Sequence, residues 1–154
     1  MEISNCLSES DISLEVDGRD KPEILKNLVD VFTKSTPLDN KTEVLNLLLE
    51  REKLKTTGIG SGVAIPHCKI SQVDRIHIIV GLSKKGIDFN SLDNNPAHLF
   101  FLIIAPESSS SGHLKICAKV VRLVRDAKVR EELLAIPTAE GVMTYIREKE
   151  SALN

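Results

Sequence analysis

The chain has 154 residues, the length of one ordinary domain, with 42% apolar residues, only 3% aromatics, no Trp and one Tyr. Its core must be aliphatic. Stacking platforms for single-stranded nucleic acid are nearly absent, and 20 basic against 22 acidic side chains (net −2) leave no basic footprint for DNA.

No apolar run approaches the roughly 18 residues of a membrane span. The start, Met1 to Ser10, is polar and acidic, unlike a signal peptide. Cys6, Cys68 and Cys117 are scattered and odd in number, which suits free thiols in a reducing cytoplasm better than a disulfide framework. Neither a repeat nor a long linker divides the chain, so one domain over residues 1–154 is expected, with its core at about 5–150.

In chain order, Ile12, Leu14 and Val16 alternate as in a strand. Lys21-Pro22 opens a helix whose inner face is Ile24, Leu25, Leu28, Val29 and Phe32, and Thr36-Pro37 ends it. A second helix is expected from about Asp39 to Leu54, with Val44, Leu47 and Leu48 inward. Gly58, Gly60 and Gly62 then mark a loop, followed by a short extended segment from Val63 to His67, where Pro66 keeps Ile65 out of helix. Arg75 to Leu82 and Leu99 to Ile104 read as strands, the second apolar throughout and therefore central. After the Ser108-to-Gly112 loop comes a helix from His113 to about Arg125, striped by Leu114, Cys117, Ala118 and Val121. Lys128 to Ile136 is a short helix, and Thr138 opens a last one reaching about Glu150 over Val142, Tyr145 and Ile146. The order βααβββααα predicts an α/β fold, a three-layer α/β/α sandwich in which a mixed sheet is flanked by helices on both faces.

The chemistry is concentrated in Thr57-Gly58-Ile59-Gly60-Ser61-Gly62-Val63-Ala64-Ile65-Pro66-His67-Cys68. A phosphate-cradling loop needs Gly-Lys-Ser/Thr and a following helix, and a dinucleotide fingerprint also needs the helix; both are missing. Ser61 has glycines directly beside it, not at the spacing of a nucleophile elbow. What fits is a histidine nucleophile at a strand end, since neutral imidazole can form a covalent intermediate.

These residues resemble the phosphohistidine signature of the fructose-, mannitol- and nitrogen-type enzyme IIA domains of the phosphoenolpyruvate-dependent phosphotransferase system. The signature runs Glu52, Ile59, Gly60, then Val63-Ala64-Ile65-Pro66-His67-Cys68. Glu50-Arg51-Glu52, Phe89 to Asp93, Leu99 to Pro106 and Gly112-His113-Leu114 also resemble the family, so the likeness spans roughly residues 5–150. The residue after the histidine is usually Gly or Ala in such proteins; here it is Cys68.

The resemblance implies that His67 accepts phosphate from a phosphorylated histidine phosphocarrier protein, and that His113 sits beside it to orient or stabilise the phosphoryl group. His113 also falls in the first turn of a helix, where the dipole favours anions and a neutral imidazole. Arg51 is expected to continue the inward stripe of its helix and to stabilise phosphate charge. Thr56, Thr57, Gly60 and Ser61 are expected as the loop near the phosphate. Ile59, Val63 and Ile70 are candidates for an apolar docking rim. His77 and His98 lack a motif and read as structural.

Zinc held by His67, Cys68, His113 and Cys117 is disfavoured, because adjacent strand residues face opposite ways. Neither metal nor cofactor is expected. The expected function is a cytoplasmic phosphoryl carrier, a phosphotransferase with a phosphohistidine intermediate and without membrane insertion. Its wording is closer to the nitrogen-regulatory branch, whose output is the binding of kinases or transporters. The alternatives are a sugar-specific domain handing phosphate to an enzyme IIB and a non-catalytic binding module.

Overall fold

The computed structural model describes residues 1–153; Asn154, the last residue of the expected domain, lies outside the described residues. Two short 3-10 turns, Ile3–Asn5 and Glu9–Asp11, lead into β1 (Ile12–Ser13). Then follow α1 (Lys21–Thr33), α2 (Lys41–Leu54), β2 (Gly58–Gly60), β3 (Val63–Ala64), β4 (His67–Ile70), β5 (His77–Ile87), β6 (Ala97–Pro106), α3 (Gly112–Val124), α4 (Ala127–Ala135) and α5 (Ala139–Leu153).

The helices start where side chains can satisfy free N–H groups. Asp20 accepts from Glu23 N, and Asn40 accepts from Glu43 N, one residue later than the expected start of α2. The Thr138 hydroxyl accepts from Gly141 N at 3.0 Å, with no reciprocal side chain because that position is glycine.

The sheet order is β1-β5-β6-β3-β2, with β4 also paired to β6. β5 and β6 are antiparallel, while β1 is parallel to β5, and β3 and β4 are parallel to β6. Side chains alternate across β6. Leu99, Phe101, Ile103 and Ala105 enter one core with residues of α3, α4 and α5. Phe100, Leu102 and Ile104 enter the other with residues of α1 and α2. The expected three-layer mixed sheet is thus present.

The strand order needs two additions, β2 and β4. The glycine-rich segment was expected as a loop, but Gly58 and Gly60 pair with Ala64 and Val63 as a hairpin arm. Pro66, which has no N–H, divides the extended segment into β3 and β4. Its carbonyl still accepts from Ile103 N at 2.9 Å, so the path of the chain beside β6 is kept.

Two helical stripes are rotated from expectation. In α2 the buried residues are Val44, Leu48 and Glu52, while Leu47 is 39% exposed. In α3 they are Ile116, Val120, Leu123 and Val124, while Leu114 is 59% exposed and Ala118 is also exposed. In α3 the core takes the register with the larger aliphatic set, whereas in α2 the inward line ends in Glu52, whose carboxylate is bonded by Lys21 and Thr57.

Candidate active site

His67 opens β4 and pairs with Ile103, so its side chain shares the face of Ile103 and Ile65, toward α3. The ring is half-buried. Its Nδ1 lies 3.0 Å from the Ile65 carbonyl oxygen. A carbonyl can only accept, so Nδ1 carries the hydrogen and Nε2 keeps its lone pair. The local sequence explains this geometry. Ile65 N donates to the Thr57 carbonyl at 2.9 Å, and Pro66 holds Ile65 extended, which turns the Ile65 carbonyl back toward the residue two positions on.

His113 stands on the first turn of α3, with its ring centroid 6.2 Å from that of His67 and the planes tilted by 37°. Its Nδ1 is buried without a hydrogen-bond partner among the described residues. Burial pushes its pKa down, assisted by the positive charge of Lys69 and by His67. Leu114 N and Lys115 N donate to the Ser111 carbonyl at 3.1 and 3.2 Å, but the Ser111 side chain caps nothing among the described residues, so the N–H groups of Gly112 and His113 are the ones left to face an anion. Lys69, two residues beyond His67 and therefore on the same strand face, was not singled out from the sequence. Strand alternation from His67 was the signal that could have found it.

Arg51 is half-buried rather than part of an inward stripe. Its guanidinium donates to the Lys55 carbonyl at 2.8 Å, closing the end of α2. It also lies near enough to Cys117 of α3 to lower that thiol's pKa, although burial is the stronger effect and the net shift is upward.

The remaining expected loop residues are placed differently. Val63 pairs with Leu99 and His67 with Ile103, four positions apart on β6, or about 13 Å along the strand. The Gly60-Ser61-Gly62 turn lies beyond Val63, and the fold does not bring Gly60 and Ser61 against the imidazole. Ser61 has φ of 56°, and its N–H donates to Asp93 Oδ2 at 2.9 Å. An anion of the chain itself therefore occupies that donor, and its bonds to Ser61 and Asn95 hold the Asp93 carboxyl below the usual range.

Thr57 is buried, and both its N–H (2.9 Å) and its hydroxyl donate to the Glu52 carboxylate. The Thr56 hydroxyl donates to the Phe89 carbonyl and accepts from Lys21 Nζ and Gly58 N, each at 3.1 Å. These hydroxyls are committed to holding the loop. Glu52 was read only as the first position of the signature, yet it is the hub of this network.

The expected rim is also revised. Val63 and Ile70 are buried, because each points into a core, while Ile59 is 40% exposed. Leu47 and Leu114 are exposed on α2 and α3. Cys68 packs into the α1/α2 core, opposite His67, where burial pushes its thiol up to about 12. No group of three or more metal-ligating side chains converges among the described residues. His77 is buried edge-on to Phe32 at 5.0 Å, and His98 Nδ1 bonds the Ser83 carbonyl at 2.8 Å. A groove of about 620 Å³, lined by Lys21, Asn46, Glu52 and Asn90 among others, contains neither site histidine.

An open mixed sheet between two helical layers, with paired histidines where a strand and a helix both begin, places this chain among α/β/α domains. It belongs to the family described as "Phosphoenolpyruvate-dependent sugar phosphotransferase system, EIIA 2", which matches residues 5–149. Domains of that family pass phosphate between components of the system. The chain is 39% identical over 107 residues to a nitrogen regulatory protein of Bradyrhizobium diazoefficiens, covering 70% of each. It is 32% identical over 148 residues to the fructose-specific EIIABC component of Bacillus subtilis, covering 96% of this chain but only 23% of that longer protein. The crystal structure of nitrogen regulatory protein IIA-Ntr from Neisseria meningitidis superposes with a TM-score of 0.85 at 27% identity, over 94% of this chain and 98% of that one. No helix among the described residues is long and apolar enough to cross a membrane.

Proposed function

We propose that this protein carries a phosphoryl group on His67 Nε2, received from a phosphorylated histidine phosphocarrier protein. The observation that carries the reading is the bond from His67 Nδ1–H to the Ile65 carbonyl, which leaves the Nε2 lone pair free beside His113. In the transfer, the N–P bond of the donor's phosphohistidine, whose other ring nitrogen is protonated, breaks as the Nε2–P bond of His67 forms. His67 becomes a phosphoimidazolium whose Nδ1–H stays on Ile65, and the donor imidazole leaves neutral. No proton has to move during the exchange.

Stabilisation of the loose phosphoryl transition state falls to nearby positive charge and fixed donors. Lys69 supplies charge on the His67 face, and Arg51 supplies it from the end of α2. The first turn of α3 offers N–H groups. His113, held neutral, suits a donor through Nε2–H, since its buried Nδ1 has no acceptor for a hydrogen.

The output is regulatory, through contact with target proteins of the cytoplasm. The 39% identity and equal coverage of a nitrogen regulatory protein favour this. The 32% match to the fructose EIIABC component favours a second reading, in which phosphate passes to an enzyme IIB and then to a sugar. Phosphorylated protein, chased with a panel of sugar-specific IIB domains, separates the two. The regulatory reading expects label to remain on this chain; rapid transfer to one IIB would overturn it.

A further inference from the structure

His67 owes its orientation to a main-chain carbonyl, and the bonds behind that carbonyl end in a buried ion pair. The His67 ring is fixed by the Ile65 carbonyl (3.0 Å), and Ile65 N–H is fixed by the Thr57 carbonyl (2.9 Å). Thr57 in turn gives its N–H and its hydroxyl to the two oxygens of Glu52. Glu52 Oε1 is also 2.9 Å from Lys21 Nζ, and these side chains are only 4% and 11% exposed. Lys21 reaches this place from the first turn of α1, bonds Thr56 Oγ1 at 3.1 Å and lies 4.6 Å above the Phe89 ring.

Such a pair is a costly way to hold a loop. Burying two charges loses hydration that their attraction only partly restores, and a packed apolar pair often serves stability as well. What an apolar pair cannot do is accept two directed hydrogen bonds from one residue. Only Glu52 fixes Thr57 at both its N–H and its side chain, and with it the carbonyl that aligns Ile65.

We propose that Lys21 and Glu52 are a positioning pair for His67: through Thr57 and Ile65 they select the Nδ1–H tautomer and so present Nε2 as the reactive nitrogen. Neither residue touches the reacting atoms. The part of the test that reads transfer rests on the phosphoryl-carrier function proposed above; the part that reads the tautomer does not.

The experiment uses the full chain and two double variants, Lys21→Met/Glu52→Gln and Lys21→Met/Glu52→Leu. Each removes both charges, so neither strands a buried ion. The Gln variant still offers Thr57 one acceptor; the Leu variant offers none. Imidazole nitrogen NMR, with His67→Gln for assignment, reads the His67 tautomer, and the His77 signals report whether the fold is intact. Phosphoramidate, a small phosphoryl donor, reads intrinsic reactivity without a protein partner.

The wild type is expected to hold the Nδ1–H form. The Gln variant should show a growing Nε2–H fraction and phosphorylation slower by about tenfold, and the Leu variant should approach a hundredfold, as expected for misplacement of order 1 Å. A folded double variant that keeps the wild-type tautomer and rate overturns the proposal. Should the Leu variant not fold, the Gln variant alone decides. A wild type that takes up no phosphate, with tautomers shifted in the variants, leaves the positioning pair standing and removes the carrier function instead.

Discussion

Phosphorylation of His67 should reverse the electrostatics at His113. In the free protein, burial, Lys69 and His67 all push the His113 pKa down from the ordinary imidazole range, which favours the neutral ring. A phosphoryl group carries two negative charges, and the imidazolium that bears it returns one positive charge. A net negative charge therefore appears at about the ring separation of 6.2 Å. At that separation, one unit charge contributes about 0.7 kcal/mol at a dielectric of about 80 and about 2.7 kcal/mol at about 20. The proton affinity of His113 should therefore rise between about threefold and about ninetyfold on phosphorylation. The sign is fixed, because a nearby anion favours the charged imidazolium. Proton-detected NMR titration of His113 in the free and phosphorylated proteins measures the change. An unchanged or lowered proton affinity in the phosphorylated form would refute the placement of His113 beside the phosphoryl group.

Three other outcomes rest on side chains elsewhere in the fold. His77 is buried, and desolvation, aided by Arg75 and opposed by Asp11 and Asp74, pushes its pKa down. Its unfolded form therefore binds protons first, and stability should be full above about pH 6.5 and fall as pH drops below it, by at most about 1.4 kcal/mol per pH unit from this group. Urea midpoints from pH 5 to 7.5 should show that slope, and His77→Leu should shrink it. Glu150, buried on α5, accepts from Ile3 N at 2.7 Å and Ser4 N at 2.9 Å. Glu150→Ala leaves both donors unpaired and should cost about 3 kcal/mol, or roughly 6–12 °C in Tm by calorimetry. Leu114→Asp, at a residue 59% exposed, should leave stability within about 0.5 kcal/mol. It should slow phosphorylation by the carrier protein but not by phosphoramidate; equal slowing with both donors would argue against a docking role.

The start and inner face of α1 were legible, because Ile24, Leu25, Leu28, Val29 and Phe32 form one unambiguous apolar register and all are buried, although the helix ends at Thr33, before the expected stop at Thr36-Pro37. The pattern failed in α3, where Leu114, Cys117 and Val121 compete with Ile116, Val120 and Leu123, and only packing against the sheet chooses between them. His67 and His113 were legible through the motif and the helix start, and they do lie together. Gly60 and Ser61 looked adjacent to His67 in sequence, yet extended chain carries them away along β6. Glu52 and Lys21 are 31 positions apart, and their meeting depends on how α1 packs on α2, which no local pattern encodes. Arg51 was assigned inward from its spacing to Leu47, and the exposure of Leu47 removes that premise.

The central claim is a phosphoryl group on His67, and the direct measurement is uptake and mapping of acid-labile phosphate. The protein is incubated with phosphoenolpyruvate, enzyme I and the histidine phosphocarrier protein, then digested at alkaline pH and read by mass spectrometry. The account predicts one phosphate on His67 and none in His67→Gln. Phosphate taken up equally by His67→Gln would contradict it.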